Sequence, residues 1–253
     1  MDLGLTGRHV LVAGASRGLG SAIVSALLTE GAKVTAVGRD PESLAAARTL
    51  WIAGAPQAIV STFALDLSDS ASVDPLASYL AGEGELDGVI AVAGSGRPAG
   101  QPPLKAFATA TETNVMPALV TLEAAGPILQ KGSCGAVVLI SSVAGMEYID
   151  CPPEYAAAKA TLHAYASHWS RDLAPVRINV LAPGNMLTEG SVWQRRMLED
   201  PAALDDYLTR EVTLRRVAQP VEVARVAVFL VSPAASFMTG STVVADGGQV
   251  RQW

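Results

Sequence analysis

Little in this chain points to a stapled, basic or membrane-spanning protein. Two cysteines, Cys134 and Cys151, are too few for a disulfide framework and form no Cys-x-x-Cys pair, so a reducing, cytoplasmic compartment is expected. The three histidines (His9, His163, His168) make no ligand pair beside a carboxylate or thiol, and no metal site is expected. His163 and His168 read as helix-surface or subunit-contact residues. Lysine and arginine total 18 against 24 acidic residues, and a net charge of -6 argues against nucleic-acid binding, because a phosphate backbone needs a basic face. No apolar run approaches the roughly 18 residues of a spanning helix. No basic leader with a small-residue cleavage site is read at the start, and no block of like charge suggests a membrane tail. Repeats, low-complexity tracts and linkers are missing too, so a single domain over 1–253 is expected.

What is present is apolar and alternating. Half of the residues are hydrophobic and 17% are charged, the balance of a folded chain with a large core. Arg8 to Ala13 is a short apolar run that stops at glycine, as a buried strand would. Gly14-Ala15-Ser16-Arg17-Gly18-Leu19-Gly20 follows, and Ala22 to Leu28 has helical composition. A strand, a glycine-rich turn and a helix suit a pyrophosphate: Gly14 for the tight turn, Gly18 for close approach to the backbone, Gly20 for helix packing. The helix start then offers unpaired N–H groups to phosphate. An ordinary strand–helix turn is the alternative.

Lys33 to Gly38 reads as the second strand and ends in Arg39. Asp40-Pro41-Glu42 then starts a helix, with Asp40 as its cap. An arginine at this strand end, with Arg17 in the first loop, favours NADP(H) over NAD(H). Asp40 stays open between capping and a ribose. Further strands are read at Ala58 to Leu65, Leu86 to Ala93, Gly135 to Ser141, Arg177 to Leu181 and Ser241 to Ala245. Between them lie helical stretches from Ser70 to Leu80 and from Leu104 to Gln130, with a loop from Ser95 to Pro103. Strands alternating with helices imply an α/β fold: a seven-stranded, mostly parallel, doubly wound sheet covered by helices on both faces. Ligands in such sheets bind beyond the carboxyl ends of the strands. Gly14 to Gly20, Arg39, Asp66, Gly94, Ser142 and Pro183 to Thr188 all follow strand ends.

The helical stretch after the fifth strand carries Tyr155-Ala156-Ala157-Ala158-Lys159, thirteen positions beyond Ser142. A tyrosine and a lysine four apart share one helix face. A lysine cation at about 4 Å favours a phenolate by roughly 4 kcal/mol at an effective dielectric near 20, about three pKa units. That suits a general acid/base which exchanges a proton with a substrate oxygen. The same spacing also occurs as an ordinary surface pair. Asn114, an indifferent helix former inside the Leu104–Gln130 stretch, is open between a structural and a functional role.

Taken in order, Gly14-x-x-x-Gly18-x-Gly20, Asp66, Asn114, Ser142, Tyr155-x-x-x-Lys159 and Pro183-Gly184 to Thr188 resemble the short-chain dehydrogenase/reductases. The resemblance covers nearly the whole chain and is strongest to the 3-oxoacyl-carrier-protein reductase branch. It implies that Tyr155 is the acid/base and that Ser142 hydrogen-bonds the substrate oxygen. It also implies that Lys159 binds the nicotinamide ribose and lowers the tyrosine pKa, while Asn114 holds a relay water. The implied cofactor set is Gly14, Ser16, Arg17, Gly18, Leu19, Gly20, Arg39, Asp66, Leu67, Ala93, Gly94, Tyr155, Lys159, Pro183, Gly184, Met186 and Thr188. Asp66 and Leu67 fall at the adenine, and Thr188 at the phosphate or carboxamide. A homo-oligomer is implied, a tetramer or a dimer, with long helices packing between subunits. The chain departs from the pattern at Ala91-Val92-Ala93-Gly94, where asparagines usually brace the sheet, at Ala13, usually threonine, and at an early helix end near Leu173.

The expected reaction is hydride transfer between NADP(H) and a carbonyl or secondary alcohol, most simply reduction of a ketone on an apolar or ring-containing substrate. An NAD-dependent alcohol dehydrogenase and a non-catalytic NADP-binding regulator are the alternatives. Met146 to Ile149 and a lid around 186–212, with Leu187 and Trp193, either line an apolar pocket or pack on a core of their own.

Overall fold

Seven short runs rich in valine, isoleucine, leucine and alanine form β1 (His9–Ala13), β2 (Lys33–Gly38), β3 (Val60–Ala64), β4 (Gly88–Ala91), β5 (Ala136–Ile140), β6 (Arg177–Pro183) and β7 (Thr242–Ala245). In the computed structural model, which describes residues 1–94, 100–132 and 135–251, they pair in parallel in the order β3-β2-β1-β4-β5-β6-β7. Strand order reverses between β1 and β4, which opens a crevice beyond their carboxyl ends. A strand covered on both faces must be apolar at successive positions. In β1, Val10 and Val12 enter the core cluster on one face of the sheet, and Leu11 and Ala13 the cluster on the other.

The first face is covered by α1 (Gly18–Thr29), α2 (Pro41–Gly54) and α9 (Pro220–Val231). The second carries α3 (Val73–Glu83), α5 (Met116–Leu129) and α6 (Pro153–Asp172). Asp40 caps α2 as expected, accepting from the N–H groups of Glu42 at 3.2 Å and Ser43 at 3.1 Å, with Pro41 in the first turn. At the far end of the sheet Arg177 donates to the carbonyls of Leu230 (3.1 Å), Met238 (3.2 Å) and Ser232 (2.9 Å), closing the C-terminal end of α9.

Some sequence boundaries shift. The stretch read as one helix from Leu104 to Gln130 is two: α4 (Pro103–Asn114) and α5, parted at Val115. Pro117 has no N–H to give to the carbonyl of Thr113, which removes a bond a continuous helix would use, and the helix breaks there. α1 begins at Gly18 rather than Ala22, which puts the last glycines of the loop in its first turn. β6 continues to Pro183, and β3 is shorter than the run read for it. Residues 186–212 contain α7 (Val192–Glu199) and α8 (Pro201–Glu211). Leu204, Leu208, Val212 and Val217 form a small core there, with Leu187, Trp193 and Tyr207 packed on it, so this segment does pack on itself. Residues 95–99 of the expected loop and Cys134 lie outside the described residues.

Candidate active site

At the carboxyl edge of the sheet, β1 turns at Gly14 (φ +91°), where a Cβ would fall 2.6 Å from the backbone of Ala93. A Cβ on Gly20 would fall 1.9 Å from the carbonyl oxygen of Gly14, so α1 can approach the turn only with glycine there. Gly18 sits at φ +55°, and its open side faces Thr188. Among the described residues no side chain caps the start of α1, and its first turn holds no acidic residue. Its first N–H groups therefore point to the cleft as an anion site.

The turn is tied to β4 by backbone alone. Val92 and Ala93 both donate to the carbonyl of Ala13 at 2.8 Å, so the order expected from asparagines at 91 and 92 is kept without their amides. Gly94 ends that loop in a tight junction. A Cβ on it would lie 2.8 Å from Asn114 Oδ1 and 3.1 Å from Lys159 Nζ.

Lys159 is buried and pinned at both ends. Its ammonium donates to the carbonyl of Ile140 at 3.1 Å, and its own carbonyl accepts from the Ser141 hydroxyl at 2.9 Å. Burial pushes the lysine pKa down to about 8. Its Nζ is 5.9 Å from the centre of the Tyr155 ring, so the two share one helix face, as their spacing predicts. The lysine belongs to the interior, not to the exposed face that the spacing alone leaves open. Ser142 follows β5 directly, and its Oγ accepts from the N–H of Ala144 at 3.2 Å, which leaves the hydroxyl proton to donate into the cleft. Asn114 is 1% exposed; its amide nitrogen donates to Ala110 and Thr113, while its Oδ1 is a buried acceptor that no described group serves. A polar ligand or water reaching past Gly94 would meet it.

At the other end, Arg39 and Asp40 are exposed beside Ser43. Two donations from Ser68 hold the Asp66 carboxyl below the ordinary carboxylate range, and the nearby Arg39 charge adds to this. The hydroxyl and N–H of Ser43 do the same for Asp40, whose carboxylate is engaged as a cap.

One cleft of about 880 Å³ joins these parts. It is lined by Gly14, Ser16, Arg17, Gly18, Leu19, Gly20, Arg39, Asp66, Leu67, Ala93, Gly94, Asn114, Ser142, Tyr155, Lys159, Pro183, Gly184, Met186 and Thr188, so every residue expected from the sequence is brought together. Leu187 and Trp193 do not line it; they pack on the small core formed by Leu204, Leu208, Val212 and Val217. Sequence reasoning missed Ser43, Ser68, Thr113, Pro117, Ile140 and Ser141, which also line the cleft. Ser68 was readable from Asp-x-Ser turn chemistry, and Ser141 from its place beside Ser142. His163 is only partly buried and lies beneath the site, where burial and the Lys159 charge lower its pKa. The glycine turn, the uncapped helix start, the two arginines and the orphaned Asn114 oxygen together fit a phosphorylated dinucleotide laid along the cleft.

Comparison with known proteins agrees with that geometry. A family model described as enoyl-(acyl carrier protein) reductase matches residues 14–249. The isoepoxydon dehydrogenase of Penicillium expansum is 31% identical over 98% of this chain and 96% of its own length. The 2,5-dichloro-2,5-cyclohexadiene-1,4-diol dehydrogenase of Sphingobium indicum is 30% identical over 96% of this chain and 97% of its own. Among solved structures, a 3-oxoacyl (acyl-carrier-protein) reductase from Agrobacterium tumefaciens with NADP bound superposes with a TM-score of 0.88 at 31% identity, covering 98% of this chain and 96% of that one.

Proposed function

The chain belongs to the short-chain dehydrogenase/reductase family, and from that premise we propose that it is an NADP(H)-dependent ketoreductase acting on a ring-containing, largely apolar ketone. The observation that carries the reading is the junction of Ser142, Tyr155, Lys159 and Asn114 at the end of a dinucleotide cleft. Bound there, NADPH would supply the hydride for the carbonyl carbon. The chain's own groups manage the oxygen. Tyr155 gives its phenolic proton to that oxygen as it becomes an alkoxide, and Ser142 donates a hydrogen bond to the same atom, which lowers the charge that builds there. Lys159, charged for the most part at pH 7, favours the phenolate that proton transfer leaves behind. The products are a secondary alcohol and NADP+.

The cofactor would be held by the N–H groups of the Gly14–Gly20 turn at its pyrophosphate and by Arg17 and Arg39 at the extra phosphate. Asp66 and Leu67 would take the adenine, and Pro183 to Thr188, Met186 among them, the nicotinamide side. Residues 186–212 serve as the lid over the substrate. One relative supports a cyclic substrate, since a cyclohexadiene diol is a ring compound. A cytoplasmic homotetramer is the proposed assembly; among the described residues no helix is long and apolar enough to cross a membrane.

The test is a panel of cyclic and acyclic ketones with NADPH and NADH, run with the wild type and Tyr155→Phe. The variant should lose at least about 100-fold in kcat, the worth of a general acid, while its NADPH affinity stays within about threefold. Retained turnover would overturn the assignment.

A further inference from the structure

Beneath the cleft, two of three consecutive residues grip one lysine. Ile140 accepts from the Lys159 ammonium at 3.1 Å, Ser141 donates to the Lys159 carbonyl at 2.9 Å, and Ser142 faces the substrate space. The Ser141 hydroxyl has one further partner, His163 Nε2 at 2.8 Å, and His163 Nδ1 meets Thr242 Oγ1 at 3.0 Å. The direction of each bond follows from its chemistry. A carbonyl only accepts, so the Ser141 proton goes to Lys159. Ser141 must then accept from the ring, which places the imidazole hydrogen on Nε2 and leaves Nδ1 to accept from the Thr242 hydroxyl.

Ser141 is 4% exposed and Lys159 5%, so neither has water to replace a lost partner. His163 lies one turn beyond Lys159 on α6, and Thr242 opens the edge strand β7. The chain of bonds therefore ties α6 at the level of Lys159 to the ends of two strands. Gly145 lets the loop after Ser142 lie against this turn; a Cβ there would fall 2.8 Å from the N of Ala160 and the backbone carbon of Lys159.

We propose that His163 is a positioning residue for the reaction: through Ser141 it sets where Lys159 and Ser142 stand relative to Tyr155. It touches neither substrate nor cofactor. The proposal rests on the ketoreductase reading, but part of its test does not.

Long-range 1H–15N spectra of the wild-type holoenzyme should show His163 as the Nε2–H tautomer at pH 7.5; the Nδ1–H form would overturn the proposal without touching the proposed activity. Lysine 13Cε titration of the same protein, with no ketone present, should move the Lys159 midpoint by at least half a unit in His163→Leu and return it in His163→Gln, which keeps an N–H donor towards Ser141. With the best ketone of the panel, His163→Leu should lose 10- to 100-fold in kcat with KM for NADPH within twofold, and the glutamine variant should recover most of the loss. Thr242→Val, which loosens only the outer anchor, should lose a few-fold. An unchanged kcat in His163→Leu, or a loss that glutamine fails to restore while NADPH affinity falls with it, would overturn the role. A wild type that reduces no ketone would sink the ketoreductase reading and leave the tautomer and lysine titration standing.

Discussion

Lys159 carries the sharpest conflict between stability and use. Its pKa in the folded chain is about 8, against 10.5 for an ordinary lysine. Between those values the folded state holds fewer protons than the unfolded chain, so stability rises with pH across that window. Below pH 8 the buried ammonium costs about 3 kcal/mol, while replacing the lysine would leave the Ile140 carbonyl without its donor, a loss of roughly 1 kcal/mol. Lys159→Met should therefore raise Tm by about 5 °C at pH 7 and by much less at pH 10, while abolishing turnover. Melting curves at both pH values check this. Arg39 is the residue-scale test of cofactor choice. It is exposed at the end of β2 with its head near Asp66, so Arg39→Ala should raise Kd for NADPH about tenfold, near 1.4 kcal/mol, and leave Kd for NADH within twofold by fluorescence titration.

At the scale of elements, Arg177 closes α9 from the opposite end of the sheet. Arg177→Met should cost about 3 kcal/mol, because four carbonyls, those of Leu230, Val231, Ser232 and Met238, lose a charged donor; in a chain of this size that is roughly 10 °C in Tm. NADPH affinity at 20 °C should be unchanged, since the cleft lies at the other strand ends. Most elements were legible because period and punctuation agreed: β1 stops at a glycine that only glycine can occupy, and Asp40-Pro41 announces α2. The break at Val115 was less so, because the alanine-rich composition on either side of it reads as helix throughout. Pro117 was the available signal. The place of His163 was not legible either, as its partners lie 22 and 79 positions away, and only the pairing of β5, β6 and β7 brings Ser141 and Thr242 beside it.

For the molecule as a whole, parallel strands with helical crossovers gather every strand end carrying chemistry at one edge, which is why an ordered set of short motifs in the sequence mapped onto one cleft. The opposite faces are sealed by helices, and apolar side chains left outside them need another explanation. On α4, Leu104 is 88% exposed and Phe107 53%. If a homotetramer packs through the helices after β4 and β5, these side chains are buried between copies. Light scattering should then give about four times the 26.1 kDa chain mass, and Phe107→Glu should shift the protein to smaller species. A monomeric wild type would exclude that assembly.

The crowding around Gly94 separates what this chain is free to vary from what it is not. Ala91 and Val92 serve the sheet through their backbones and the core through small apolar side chains, so many residues of modest size are tolerated there. Two positions later a single methyl group would collide with Asn114 Oδ1 at 2.8 Å and crowd Lys159 Nζ at 3.1 Å. Diversity in a library built over residues 91–94 should therefore collapse to one letter at its last position, and the loop would mark the site by its intolerance even where its sequence no longer matches its relatives.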